Sequence, residues 1–545
     1  MKIESKVCIL TALMFLLSFP LFTFATNRVI EIEKDSIISD FDALVKIIED
    51  THPDPYTNYG GKVFFHKTAN SMRRALETAD CLTLQDLYDK SSEFISFLQD
   101  GHSYINPPAV RNVSSGSDSI VLIKFMYGGG SLIVNAVEKK GAHLIGSRLT
   151  GINGIPVEVI ADRVAKYYPC ENTAGKFGFL SDYFRTVAIY RKLTGNSDGT
   201  LSFQLKTPAG ETVSYLPSVI PGKAFSGTEL ARTPQTKEFP SGQLEWRVVD
   251  GTMIFRLSTV LSRENFAYQY ANGWDFYGDL KNYYRMSGSE MPSDTLAAIN
   301  GVPSMSETFM DMLSEMKTQG VRNLVIDLRG NGGGWTPITL PTLYMMYGDR
   351  YLDTDMSSHF FRRVSDLYLE KINTTIEEFN RRNGTLLKTG DYLIPEEMED
   401  CRSIEDKREG FINSAFCSDE IKTKLRSLNG IPLYQPENVC VVTDNGTFSA
   451  AFHYAFYLSR LGAVVAGETS SQAPNCYMEI TPFTLPLTGL SGSVSNSMQV
   501  FLPGNDSRSK EFTPDIRLNY DEYRDCGFDR NSVLMKLVSL LKKDS

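Results

Sequence analysis

The chain has 545 residues, 42% hydrophobic and 22% charged, enough for more than one domain and an extensive core. Its formal charge is −10 and it has no long basic run. That balance argues against nucleic acid or an anionic lipid surface as the main partner.

Residues 1–25 stand apart. Lys2 and Lys6 precede an uncharged run from Val7 to Phe24, which ends in the small–any–small pattern Thr23-Phe24-Ala25. This predicts a signal peptide removed after Ala25, and so an exported protein, periplasmic or at the cell surface, with no membrane contact after cleavage. The run is short for a bilayer span and contains Pro20. The remaining cysteines are scattered with no C-x-x-C pair, so no zinc site and no other cofactor is expected. Cys401 and Cys417 are near enough in sequence to pair in an oxidising compartment.

Residues 26–110 read as a helical segment. Ile38, Phe41, Leu44, Val45 and Ile48 recur at helical spacing up to Thr51, and Leu82 to Leu98 repeats the pattern. The segment closes on "FLQDGHSYINPP", where glycine and proline stop the helix. Residues 111–222 change period. "SIVLIKFMY", "SLIVNAVE" and "LSFQLKTPAG" are short strand-like runs, and "GSRLTGINGIPVEVIADRVAKYY" reads as strand, Asn-Gly turn and helix. These predict a small β-rich module.

Residues 223–545 alternate strand and helix, the pattern of an α/β layer. "TMIFRLS", "NLVID", "NVCVVT" and "AVVAG" are the strands, and Ser306 to Thr318 is a predicted helix. A charged insert occupies residues 351–430.

Two stretches of this layer bear chemistry. In "DLRGNGGG", Asp327 to Gly334, glycines after a strand end let backbone N–H groups approach a ligand without a Cβ in the way. No G-K-[ST] follows, so a phosphate-binding P-loop is excluded. Those amides instead suit an oxyanion. In "VVTDNGTFSAAFHY", Ser449 opens a helix, where its hydroxyl is either a cap or a nucleophile. Ala450 offers the adjacent amide.

A nucleophilic serine needs a base. His453 shares the helix face of Ser449, but both side chains lean the same way along the helix. His52, in "THPDPY", reads as a turn residue. His102, in "QDGHSY", sits on a constrained polar loop and is the better base. Asp327 and Arg329 read as a scaffold charge pair.

"NLVIDLRGNGGG", followed by "TFSAA", "VVAGETSS" and "FTPDIRL", resembles the C-terminal processing peptidase and tricorn-core family of serine peptidases. The resemblance implies a crotonase-like α/β core over most of residues 245–520. It also implies a serine peptidase acting through an acyl-enzyme on peptide or unfolded-protein substrates. One branch uses a lysine beyond the serine, and "GETSSQAPNCY" contains none. The tricorn-like branch uses a histidine in a short motif that "DGHSY" fits. The implied roles are Ser449 as nucleophile, His102 as base, and the amides of Gly333 (or Gly332 or Gly334) and Ala450 as oxyanion hole. Glu511 is the implied orienting acid, with Asp506 and Glu468 as rivals. "LTGINGIPVEVI" resembles a PDZ-type module, with "YGGGSL" the nearest match to its carboxylate-binding loop. Two other readings stay open: a catalytically silent peptide-binding protein of the same fold, and a hydrolase of a non-peptide acyl substrate.

Overall fold

The computed structural model describes residues 33–108, 119–181, 183–196, 199–235, 239–240, 242–395 and 402–541. The signal segment expected over residues 1–25 lies outside them. No described helix is long and apolar enough to cross a membrane.

The core of the α/β layer is a five-stranded sheet in the order Leu244–Val249, Thr252–Leu257, Asn323–Asp327, Asn438–Thr443, Val464–Gly467. The first two strands form a hairpin over Asp250 and Gly251, both at positive φ, as a tight twisted turn requires. The other pairings are parallel. Parallel strands are covered on both faces, which is why these read as near-continuous apolar runs. On one face Met305–Gln319, Leu340–Tyr347 and Ala450–Arg460 pack against Phe255, Leu324, Ile326 and Val441. On the other, the helix Arg530–Leu541 packs through Val533, Leu534 and Leu537 against Ile254, Val325 and Val442.

The β-rich module is a seven-stranded antiparallel sheet with the helices Val157–Tyr167, Thr173–Leu180 and Val187–Thr194. Its sheet runs from Ile123 on to Leu230–Arg232, which pairs with Ser131–Glu138. The predicted Asn-Gly turn is present, with Asn153 and Gly154 both at positive φ between Arg148–Ile152 and Ile155–Pro156.

A third sheet is built on the long hairpin Asn475–Thr484 and Ser491–Val500. The N-terminal helices Lys34–Thr51, Lys62–Thr78 and Leu84–Ser96 cover this hairpin, with Phe41, Phe65 and Phe94 against Leu485, Leu490 and Val494. Buried Asp40 fastens the join by accepting the N–H groups of Leu487 and Thr488 at 3.1 and 2.6 Å. The strand Tyr104–Ile105, just past His102, pairs with the same hairpin. The charged insert contributes His359–Arg363 to this sheet. Cys417 carries a free thiol, and Cys401, its expected partner, lies outside the described residues.

Candidate active site

Three parallel strands end at Asp327, Thr443 and Gly467, and the loops that follow meet at the carboxyl edge of the sheet. This is where open α/β sheets bind ligands. The loop after Thr443 is stiffened by its own polar groups. Asp444 accepts the N–H groups of Gly330 and Gly446 at 2.7 and 3.0 Å, and the Thr447 hydroxyl donates to the Leu328 carbonyl at 3.0 Å. Phe448 N–H donates to the Asn331 carbonyl at 2.9 Å, tying this loop to the glycine loop.

Ser449 follows at φ 52°, ψ −124°, immediately before the helix Ala450–Arg460. A non-glycine residue at positive φ is strained, and such strain is characteristic of functional turns. Its side chain makes no capping bond, so the hydroxyl is not spent as an N-cap. The Ser449 N–H donates instead to the Gln472 side-chain carbonyl.

His102 reaches this turn from the N-terminal segment. Its ring packs on Phe448, centroids 4.7 Å apart at 33°. Gly101 is required just before it, because a Cβ there would stand 2.8 Å from Phe448 and 3.0 Å from Glu171. Nδ1 of His102 lies 3.7 Å from Glu171 Oε1 and 4.0 Å from Asp100 Oδ1. Among the described residues, neither ring nitrogen finds a hydrogen-bond partner of full geometry. Burial works to lower the His102 pKa, but the carboxylate of Glu171, with Asp100 behind it, outweighs burial and holds it above the ordinary imidazole value.

Glu171 is therefore the acid that faces the His102 ring, and residue reading alone did not single it out. It precedes Asn172, the N-cap of Thr173–Leu180, and is 8% exposed. Its carboxylate accepts the Gly101 N–H at 3.2 Å and the Ala473 N–H at 2.8 Å. Burial raises its pKa, and the His102 imidazole opposes that. Glu511, the acid expected from the family pattern, points elsewhere and accepts the Thr173 N–H at 2.9 Å. Its rivals are also engaged away from His102. Asp506 pairs with Arg508, and Glu468 accepts from Gly129 at 2.7 Å and from the Tyr523 hydroxyl at 3.0 Å. Gly129 belongs to "YGGGSL", so that loop already holds a carboxylate of the chain itself.

His453 is buried, and its Nδ1 shares a 3.0 Å hydrogen bond with the Thr336 hydroxyl. Burial, with the His102 charge nearby, lowers its pKa to about 3, so it is neutral at physiological pH and a weak base. Asp327 accepts from the Arg329 N–H and guanidinium and lies 3.2 Å from Arg256, a scaffold pair as its sequence suggested.

Gly333, named above as an oxyanion donor, is occupied: its N–H donates to Asn331 Oδ1 at 2.8 Å. Among the described residues, the Gly332 and Gly334 amides donate to no acceptor. Gly334, at φ 154°, is pressed so close to Val260 that a Cβ would stand 1.9 Å from its carbonyl oxygen. The Ala450 amide stands in the first helical turn, where no intrahelical acceptor exists. Asp100, His102 and Glu171 bring two carboxylates and an imidazole within 4.8 Å of one another. Both carboxylates are already claimed by backbone N–H groups, and no ligand set is assigned to them.

Residues 295–518 match the model of peptidase family S41. No curated protein sequence matches the chain. Mature CPAF complexed with lactacystin is 15% identical, covering 94% of this chain and 99% of its own, with a TM-score of 0.55. Mature CPAF alone gives 15% identity, 94% and 98% coverage, and a TM-score of 0.56. The photosystem II D1 C-terminal processing protease is 14% identical over 89% of this chain and 94% of its own, with a TM-score of 0.38. At these identities the CPAF likeness speaks for the fold.

Proposed function

From the match of residues 295–518 to peptidase family S41, we propose an exported serine peptidase that cleaves polypeptides with Ser449 as nucleophile and His102 as base. Glu171 steadies the imidazole. The observation that carries this reading is the stacking of His102 on Phe448, which brings a base from the N-terminal segment to the turn that holds Ser449.

His102 takes the Ser449 hydroxyl proton as the oxygen attacks the substrate carbonyl carbon. The charge that develops on the carbonyl oxygen is met by the Ala450 amide and an unclaimed amide of the glycine loop, Gly332 or Gly334. The C–N bond breaks as His102 returns the proton to the leaving amine. Water then gives a proton to His102 and attacks the ester, releasing the new carboxyl end and restoring Ser449. The crotonase-like description of the core and the PDZ-like description of the module belong to this proposal. Strand order and the Asn-Gly turn support them.

The silent-binder reading draws on one observation, the absence of a full hydrogen bond from either His102 ring nitrogen. Apo sites often tighten only around substrate. Incubating wild type, Ser449→Ala and His102→Ala with a reduced, alkylated protein, and labelling Ser449 with a fluorophosphonate, decides between them. The peptidase reading expects cleavage and labelling by the wild type alone. A folded wild type that neither cleaves nor labels would sink it.

A further inference from the structure

Behind His102 lies a buried pair that the acyl-transfer steps do not touch. His52 and Asp100 are both fully buried. His52 is the C-cap of Lys34–Thr51, and its ring packs on Tyr477 with centroids 4.4 Å apart. Its Nδ1 accepts the Asp54 N–H at 3.2 Å. A ring nitrogen that accepts a hydrogen bond carries no proton, so in the neutral imidazole the proton resides on Nε2. Nε2 stands 3.4 Å from Asp100 Oδ2. The geometry therefore selects the tautomer that presents a donor to Asp100.

Asp100 in turn organises the loop that carries the base. Its Oδ1 accepts the His102 N–H at 2.9 Å and lies 4.0 Å from the ring nitrogen Nδ1. Its Oδ2 accepts the Ser103 hydroxyl, whose oxygen accepts the Ser495 N–H of the long hairpin at 3.0 Å. Burial would raise the Asp100 pKa, but the His52 ring beside it, with His102 and the Ser103 hydroxyl, brings it below the ordinary value. Asp100 is thus a carboxylate held ionised inside the protein, on the inner side of the catalytic ring.

We propose that His52 and Asp100 are a positioning pair for His102, with Asp100 fixing the loop and supplying a second negative charge, and His52 fixing Asp100. The inference rests on the peptidase reading above and deepens it. The charged and titratable groups bearing on His102 come from several elements. Asp100 lies on its own loop, Glu171 on the β-rich module and His453 on the helix after Ser449, while the Cys476 thiol and the Tyr477 hydroxyl of the hairpin bear on the carboxylates rather than on the ring. Of these, Asp100 and Glu171 stabilise the protonated ring. Removing the Asp100 charge makes the imidazole easier to deprotonate, so the acidic limb of the activity profile moves to lower pH while alignment is lost.

The test is the pH dependence of kcat and kcat/KM for Asp100→Asn, His52→Leu and His52→Gln, with wild-type Ser449 labelling as the control for the underlying chemistry. Asp100→Asn and His52→Leu are expected to lower kcat about tenfold or more, with KM within about twofold. Asp100→Asn is also expected to move the acidic limb down by about half a pH unit or more. His52→Gln, which can still donate to Asp100, restores most of the loss. Wild-type kcat and an unmoved acidic limb in both folded Asp100→Asn and His52→Leu would overturn the proposal. An unlabelled, inactive wild type would instead indict the peptidase reading. If the variants do not fold, nitrogen NMR of histidine-labelled wild type decides: a slowly exchanging Nε2 proton on His52 is expected, and an Nδ1-protonated ring overturns the proposal.

Discussion

His102 and Phe448 stack with ring centroids 4.7 Å apart, although they come from opposite ends of the chain. Because Phe448 is bonded through its N–H to Asn331 and continues directly into Ser449, its ring holds the His102 imidazole against the turn that carries Ser449. Phe448→Ala is expected to lower kcat about tenfold or more by freeing the imidazole, while a small fluorophosphonate still labels Ser449 at a reduced rate. Steady-state kinetics and labelling rates compared across the two proteins measure this.

The two candidate acids separate cleanly. Glu171→Gln leaves an amide beside His102 and removes the charge that favours the imidazolium. Its kcat is expected to fall by about 10²- to 10⁴-fold. Glu511→Gln loses only a hydrogen bond to the Thr173 amide and should keep kcat within about threefold. The reverse ranking would return the orienting role to Glu511.

Activity should rise with pH through the ionisation of His102, because only the neutral ring accepts the Ser449 proton. Its pKa is held above the ordinary value, so the rising limb of kcat/KM should lie at higher pH than an unperturbed imidazole would place it. His453 is already neutral there, with a pKa lowered to about 3, so His453→Gln should leave the position of that limb unchanged. A pH–rate series on both proteins tests the assignment.

Ser449 occupies φ 52°, a region costing roughly 1–3 kcal/mol for residues with a Cβ. Ser449→Ala keeps the Cβ and the strain. Ser449→Gly removes both, and is expected to be more stable than Ser449→Ala by about 1 kcal/mol once glycine's greater unfolded-state entropy is subtracted. Chemical denaturation of the two inactive variants gives the difference directly.

Gly334→Ala drives a methyl group into the Val260 carbonyl, where a Cβ would stand 1.9 Å away. The loop must move, so a destabilisation of about 2 kcal/mol or more and a loss of oxyanion support are both expected. Gly330→Ala, with open space but positive φ, should cost less.

The parallel strands were readable because burial on both faces leaves an unbroken apolar run, as in Asn323–Asp327 and Asn438–Thr443. Within the apolar pattern from Leu82 to Leu98 the helix starts at Leu84, an acceptable start in the sequence, where Thr83 and Asp86 form a capping box. Glu171 escaped detection because its role depends on distance alone: "PCENTAG" is an unremarkable loop until Gly101 and Ala473 donate to its acid. His52 looked like a turn residue before proline, and nothing local shows that a hairpin far along the chain will bury it. The strand His359–Arg363 was hidden for the same reason, its partner being Ser491–Val500.

In the proposed site His102, Glu171 and Ser449 come from the helical segment, the β-rich module and the sheet, in that order along the chain. A nascent polypeptide therefore emerges with its proton-handling groups first and its attacking oxygen much later, onto a sheet whose last strand follows the serine. Until that last part has been made and has folded onto the earlier ones, the proposed site is incomplete.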